Sequence, residues 1–241
     1  MNNRIVMEPS KVIRGASWMS LKNNWMMCIT AFLLMTILSG TMLLPSGDID
    51  ETNAIFVLIL SLYGLVVTGP FTYGISVIML RVSRGQSASV MNIFDGFTKV
   101  FKTLGLLLYI TLFVCLWSLL FIIPGLIAAV RYSMAFYVMI DNPDYSIKQC
   151  VDESKNLMRG NVWKFIVLQF SFIGWILLTA AASGLILSVI VLFMPTAIAT
   201  IVMESGAMII SIPVSVYITQ ASAKFYDLTK PNFIIEETTI A

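Results

Sequence analysis

Arg131 is the one charged side chain between residues 103 and 140, and Tyr132 and Ser133 stand beside it. A charge inside an apolar span is costly to bury and needs a partner, water or a headgroup. Arg131 and Tyr132 are therefore the candidate functional residues, able to hold an anionic substrate group or a lipid phosphate. The plainer reading is an anchor: Arg131 lies roughly 9 Å from a turn at Pro124-Gly125 at 1.5 Å per residue, close enough to snorkel outward. The other reactive groups offer less. There is no histidine in the chain, which removes the commonest general base and metal ligand. Cys28, Cys115 and Cys150 are widely spaced and odd in number, giving neither a metal motif nor a disulfide framework. Asp152 and Glu153 are adjacent on a helical stretch, so they face different directions and make a poor acid–base pair. No Gly-x-Ser-x-Gly and no phosphate-binding Walker motif occurs. These features point away from an enzyme: no catalytic residue, cofactor or metal is expected.

The elements that must position Arg131 are membrane spans. The chain is 58% hydrophobic and 12% charged, about half the charge of a soluble domain. Residues 23–47, 52–80, 103–130 and 165–203 contain no charge, and a spanning helix needs only about 20 apolar residues. A single helix over 103–140 would be roughly 57 Å long, nearly twice the hydrocarbon thickness. Phe121-Ile-Ile-Pro-Gly125 offers the turn that folds it into a hairpin. The expected spans are 24–44, 54–80, the two arms of that hairpin, one from Trp163 to before Pro195, and 208–225 after an outer connection at Glu204-Ser-Gly206. Candidate helix breaks are Gly69-Pro70, Pro124-Gly125 and Pro213, since proline frees a carbonyl that neighbours must satisfy.

With the N-terminus cytoplasmic, this arrangement puts 14 of the 15 basic residues on the inner side. The exception is Arg131, and the outer loops hold only acidic charge, as the positive-inside rule demands. Four spans would strand the basic segment 148–164 outside. Residues 9–21, 87–101 and 146–158 read as amphipathic helices in the anionic inner interface. Ser146-x-x-Gln149 fits a capping box at the start of the last. Trp25 and Trp163 are expected as interfacial anchors at the mouths of spans one and five. The fold class is thus all-α: a polytopic bundle of about six transmembrane helices with cytoplasmic interfacial helices. It forms one domain over 1–226 with a short cytoplasmic tail at 227–241. The order of elements suggests three units, each an interfacial helix followed by two spans, the second bearing Pro70, Pro124 or Pro213.

Several strings carry a resemblance. They are Asp95-Gly-Phe97, Phe121-Ile-Ile-Pro-Gly-Leu-Ile127, the run from Tyr132 through Asp141-Asn-Pro-Asp144, Leu157-Met-Arg-Gly-Asn161, Trp163-Lys-Phe165 and Ser171-Phe-Ile-Gly-Trp175. They resemble a bacterial integral membrane family, found mostly in Firmicutes and catalogued as domain of unknown function 975. The resemblance runs from the first basic helix to Phe225-Tyr226 and departs after Leu178, where this sequence carries extra residues around Pro195 to Gly206. It implies a multipass protein of the cell membrane and supplies no reaction. The expected function is a non-enzymatic accessory, membrane-homeostasis or self-protection factor. The alternative is a small transporter or permease subunit for a lipid or hydrophobic peptide, and an intramembrane enzyme stands last. Expected partners are anionic inner-leaflet lipids, with a homo-oligomer or a membrane-protein partner left open; the net charge of +2 gives no case for nucleic acid.

Overall fold

Hydrocarbon offers backbone groups no partner, so a chain this apolar must satisfy them within helices. The computed structural model describes residues 4–40, 54–193 and 195–230, and these form an all-helical bundle. The expected outer turn at 45–51 and the end of the first span lie outside the described residues. Helix α1 (Ser10–Leu21) meets α2 (Trp25–Leu38) at 91°, so α1 lies across the bundle axis. The long α3 (Ala54–Ser83) follows, then a 3₁₀ segment (Val90–Lys99) that leads into α4 (Val100–Leu120). The return is α5 (Ile122–Tyr132) and α6 (Ala135–Asp141). After α7 (Ile147–Met158), α8 (Val162–Phe170) and α9 (Ile173–Val191) together form another long arm, and α10 (Thr196–Leu228) closes the chain. Among the described residues five of these stretches are long and apolar enough to cross a membrane, or six if the bent pair α1–α2 is counted as one span. A short segment precedes an apolar arm three times in this order, at α1, at the 3₁₀ segment and at α7.

Four expectations are corrected. Gly69-Pro70 is no break: α3 runs through it, and both residues are buried. The helix survives because neighbours pack against the site, a Cβ at Gly69 lying 3.0 Å from the Leu104 backbone and one at Gly96 meeting the Pro70 carbonyl. Pro213 likewise sits inside α10. The hairpin turns at Phe121, whose φ of −159° and ψ of 147° end α4. Pro124 is then the third residue of α5, where its missing N–H costs nothing, and Gly125 lets α5 close against Ser118. Finally, Glu204-Ser-Gly206 is not a connection. Pro195 caps the start of α10, which continues through the triplet, and a Cβ at Gly206 would stand 2.7 Å from Leu187 of α9. That glycine serves helix packing.

The ends of the helices follow local chemistry. Ser146 and Gln149 form the expected capping box at α7, and Ser89 with Asn92 forms a second at the 3₁₀ segment. In the latter segment the buried residues are Ile93 and Gly96, three apart. This is the period of a 3₁₀ helix rather than the 3.6 of an α-helix. Residues 227–230, expected in the tail, belong to the bundle: Asp227, Leu228 and Thr229 are buried and the Thr229 carbonyl accepts the Arg4 N–H at 3.0 Å.

Candidate functional site

The ends of α3, α6 and α10 converge, and so do the charges carried there. Arg84, just past α3, donates from Nη1 and Nη2 to the two oxygens of Asp141, both at 2.8 Å. Its Nε and Nη2 also reach Asp227 Oδ1, at 3.1 and 2.8 Å. Ser83 Oγ donates to the other Asp227 oxygen at 2.8 Å, and Tyr226 Oη donates to Asp141 Oδ2 at 2.8 Å. Lys230 Nζ also pairs with Asp141 and lies over the Tyr226 ring. Asp227 is 1% exposed. The hydrogen bond to Asp141 is the main influence that holds the Arg84 guanidinium protonated, well above its ordinary range, against the opposing effect of burial. A planar guanidinium suits this place because it can fork to two carboxylates at once.

Beside this cluster is a recess of about 290 Å³ whose lining includes Tyr73, Arg81, Arg84, Asp95 and Lys99. Its cations are partly engaged: Arg81 Nη1 donates to Asn92 Oδ1 at 3.4 Å, and Lys99 lies over the Tyr73 ring. Among the described residues no group of three or more His, Cys, Asp or Glu could hold a metal ion.

A second stitch joins the N-terminus to the same end of the bundle. Gly160 takes a φ of +83° after α7, a left-handed turn that glycine adopts without strain. This brings the fully buried Asn161 against the chain start: its Oδ1 accepts the Val6 N–H at 2.9 Å and its Nδ2 donates to the Arg4 carbonyl at 2.9 Å. Asn161→Ala leaves a buried N–H without its partner, a loss of about 1–3 kcal/mol. The expected result is faster proteolytic cleavage ahead of α1, with the helical content of the purified protein retained.

Arg131 and Tyr132 stand elsewhere. Arg131 is exposed, and its carbonyl accepts Ser154 Oγ of α7 at 2.7 Å. With Trp117, Pro124, Ile127, Ala128, Tyr132 and Lys155 it lines a groove of about 540 Å³ on the side of the α4–α5 hairpin. Lys155 Nζ bonds Asp152 at 2.9 Å and lies 5.4 Å from the Tyr132 ring centre. That bond to Asp152 raises the Lys155 pKa. The anchors divide. Trp163 is 74% exposed and free to meet lipid, whereas Trp25 packs edge-on against Trp18 and lies near Tyr217. Arg14 reaches past that aromatic group to donate to the Ser171 carbonyl at 2.8 Å, where the helix changes from α8 to α9.

The structure therefore joins Arg131 and Tyr132 in one groove, keeps Gly69, Pro70 and Gly125 as packing positions, leaves Pro124 in the first turn of α5 and Pro213 exposed within α10, and separates the two tryptophans. The Arg84–Asp141–Asp227–Lys230 cluster goes unread in the sequence. A signal exists for Asp141, which directly follows the apolar run 135–140, whereas Asp227 follows Lys224-Phe-Tyr and gives none.

Comparison with known proteins gives one match: residues 119–231 fit the family model described as protein of unknown function (DUF975). The match begins at the hairpin, so Asp95-Gly-Phe97 lies outside it, and it continues past Leu178 and across 195–206, where the departure is expected. No curated protein and no solved structure matches the chain.

Proposed function

On the premise that residues 119–231 belong to the DUF975 family, we propose that this chain is a non-enzymatic factor of the cell membrane that works through its basic, cytoplasmic end. The reading covers an accessory, membrane-homeostasis or self-protection role. The observation that carries it is the charge cluster. Both oxygens of Asp141 and of Asp227 are taken by Arg84, Lys230, Tyr226 or Ser83, so the buried charges clamp three helix ends together. A fully engaged cluster of this kind stabilises one arrangement and leaves no group poised to move a proton or ion. In this reading both termini face the cytoplasm, which the basic segments flanking the clamped ends support.

The rest of the basic end suits contact with lipid or a membrane partner. Met91, Phe94, Phe97 and Phe101 are exposed along the 3₁₀ segment and the start of α4, as are Trp18 and Met19 on α1. Such faces seat in the interface, with Lys99, Lys102 and Lys11 beside anionic headgroups.

A second reading, a transporter or permease subunit for a lipid or hydrophobic peptide, draws on the groove beside Arg131. Reconstitution separates the two. The purified protein in sealed vesicles is expected to leave fluorescent-lipid scrambling and hydrophobic-peptide flux at the level of protein-free vesicles. Robust movement without a partner ATPase would overturn the non-transport reading in favour of the second.

A further inference from the structure

We propose that the groove between α4, α5 and α7 is a binding site for one anionic phospholipid, with Arg131 on the phosphate. The argument begins with register. Pro124, Ile127, Ala128 and Arg131 recur at helical spacing on α5, so they share one face of that helix. Trp117 of α4 closes the upper part of the groove and Lys155 of α7 its base. The site is thus graded along its length, with apolar walls above and two cations with Tyr132 below. Pro124 and Arg131 are about 10 Å apart along the helix axis, which gives the apolar part room for several methylenes.

Charge chooses the occupant. The groove lining contains no carboxylate. Among the described residues, the Arg131 guanidinium has no hydrogen bond or ion pair, although its backbone carbonyl is held by Ser154. Lys155 is paired with Asp152 on its own helix, so Arg131 is the principal cation left for an outside anion. Location chooses a lipid over a soluble phosphate. Leu112, Leu116, Leu119, Leu120, Ile123 and Leu126 are exposed on the same hairpin, and α4 and α5 lie in stretches long and apolar enough to span a membrane. Acyl chains are what such walls meet. The volume of about 540 Å³ is also within the roughly 300–1,000 Å³ of small-molecule sites. Arg131 is therefore assigned a specific headgroup contact, a narrower role than an anchor that merely avoids burial. The site holds whether or not the chain moves anything across the bilayer, so the flux result above and the binding result below can fail separately.

Trp117 supplies the probe. The protein is reconstituted in phosphatidylcholine containing either brominated phosphatidylglycerol or brominated phosphatidylcholine at the same mole fraction. The Trp117 signal is obtained as the difference between wild type and Trp117→Phe. Quenching is expected to favour the anionic lipid by roughly fivefold in apparent affinity, the factor one basic residue contributes near an anionic surface. Arg131→Gln should abolish that preference, and Arg131→Lys should retain part of it. Ile127→Trp, read by displacement of a fluorescent anionic lipid, fills the groove without changing its charge and should also lose binding, which keeps a test in hand if Arg131→Gln does not fold. Equal quenching by both lipids, or an unchanged preference in folded Arg131→Gln, would overturn the site. So would loss of the preference on adding millimolar inorganic phosphate, which would identify a soluble anion as the occupant.

Discussion

Arg84→Ala is expected to destabilise the protein more than any other single charge removal, by about 3–5 kcal/mol, because it takes the guanidinium from the buried Asp227 and leaves Asp141 with Lys230 and Tyr226 alone. Asp227 is 1% exposed and is held by Arg84 and Ser83. Without Arg84 it must be protonated or draw in water, and either change loosens the ends of α3, α6 and α10 together. Arg84→Lys should be intermediate, since a single ammonium cannot fork to both Asp141 and Asp227. The triple change Arg84→Met, Asp141→Asn, Asp227→Asn removes the charges as a set and should cost less than Arg84→Ala alone. Unfolding is measurable with a fluorogenic thiol probe in a Cys115→Ser background. Cys28 and Cys150 are fully buried, and burial raises the Cys150 thiol pKa, so neither reacts until the bundle opens. Thermal midpoints of Arg84→Ala within a degree of wild type would show the cluster to be solvated rather than a clamp.

The span count was legible because hydropathy and charge act over whole segments. An arrangement that keeps fourteen basic residues on one side requires a fold within 121–125, and the structure puts that fold at Phe121. The capping box at Ser146 was legible for the opposite reason, being complete within four residues. What escaped depends on distant partners. Asp141 and Asp227 are 86 positions apart in sequence and meet only through Arg84. Asp227 reads as the start of a polar tail because nothing local says that α10 continues past it. The Glu204-Ser-Gly206 triplet has turn-like composition, yet Gly206 is there because α9 approaches it. Gly69-Pro70 misleads in the same way. Glycine and proline mark a departure from ordinary helix packing, and sequence alone does not say whether the departure is a bend or a close neighbour. Arg131 was found because it is alone in its tract, but its meeting with Lys155 needs α7 folded back beneath the hairpin.

That ambiguity over glycine yields the second large effect. Gly96→Ala is expected to dislodge the 3₁₀ segment from α3, because its Cβ would lie 2.1 Å from the Pro70 carbonyl oxygen. Gly74 makes the reciprocal contact, with a Cβ 2.1 Å from the Ile93 oxygen. Backbone faces backbone in both cases, so no rotamer can relieve the clash and the whole segment must move. Overpacking of this kind costs about 1–3 kcal/mol, and more where the backbone is rigid. Gly69→Ala should be milder, its nearest contacts being at 3.0 Å. Gly184→Ala, with nothing within 4 Å, should be neutral or raise stability by roughly 0.5–1 kcal/mol through helix propensity. The double variant Gly74→Ala, Gly96→Ala gives the sharpest result. Both glycines seat the same segment, so once one alanine has displaced it the second meets little resistance. The two losses should fall short of additivity by about 0.5–3 kcal/mol. The same thiol-probe midpoints measure all five proteins. Full additivity, or a Gly96→Ala midpoint equal to that of Gly184→Ala, would mean that the segment is not seated on α3 through these two glycines.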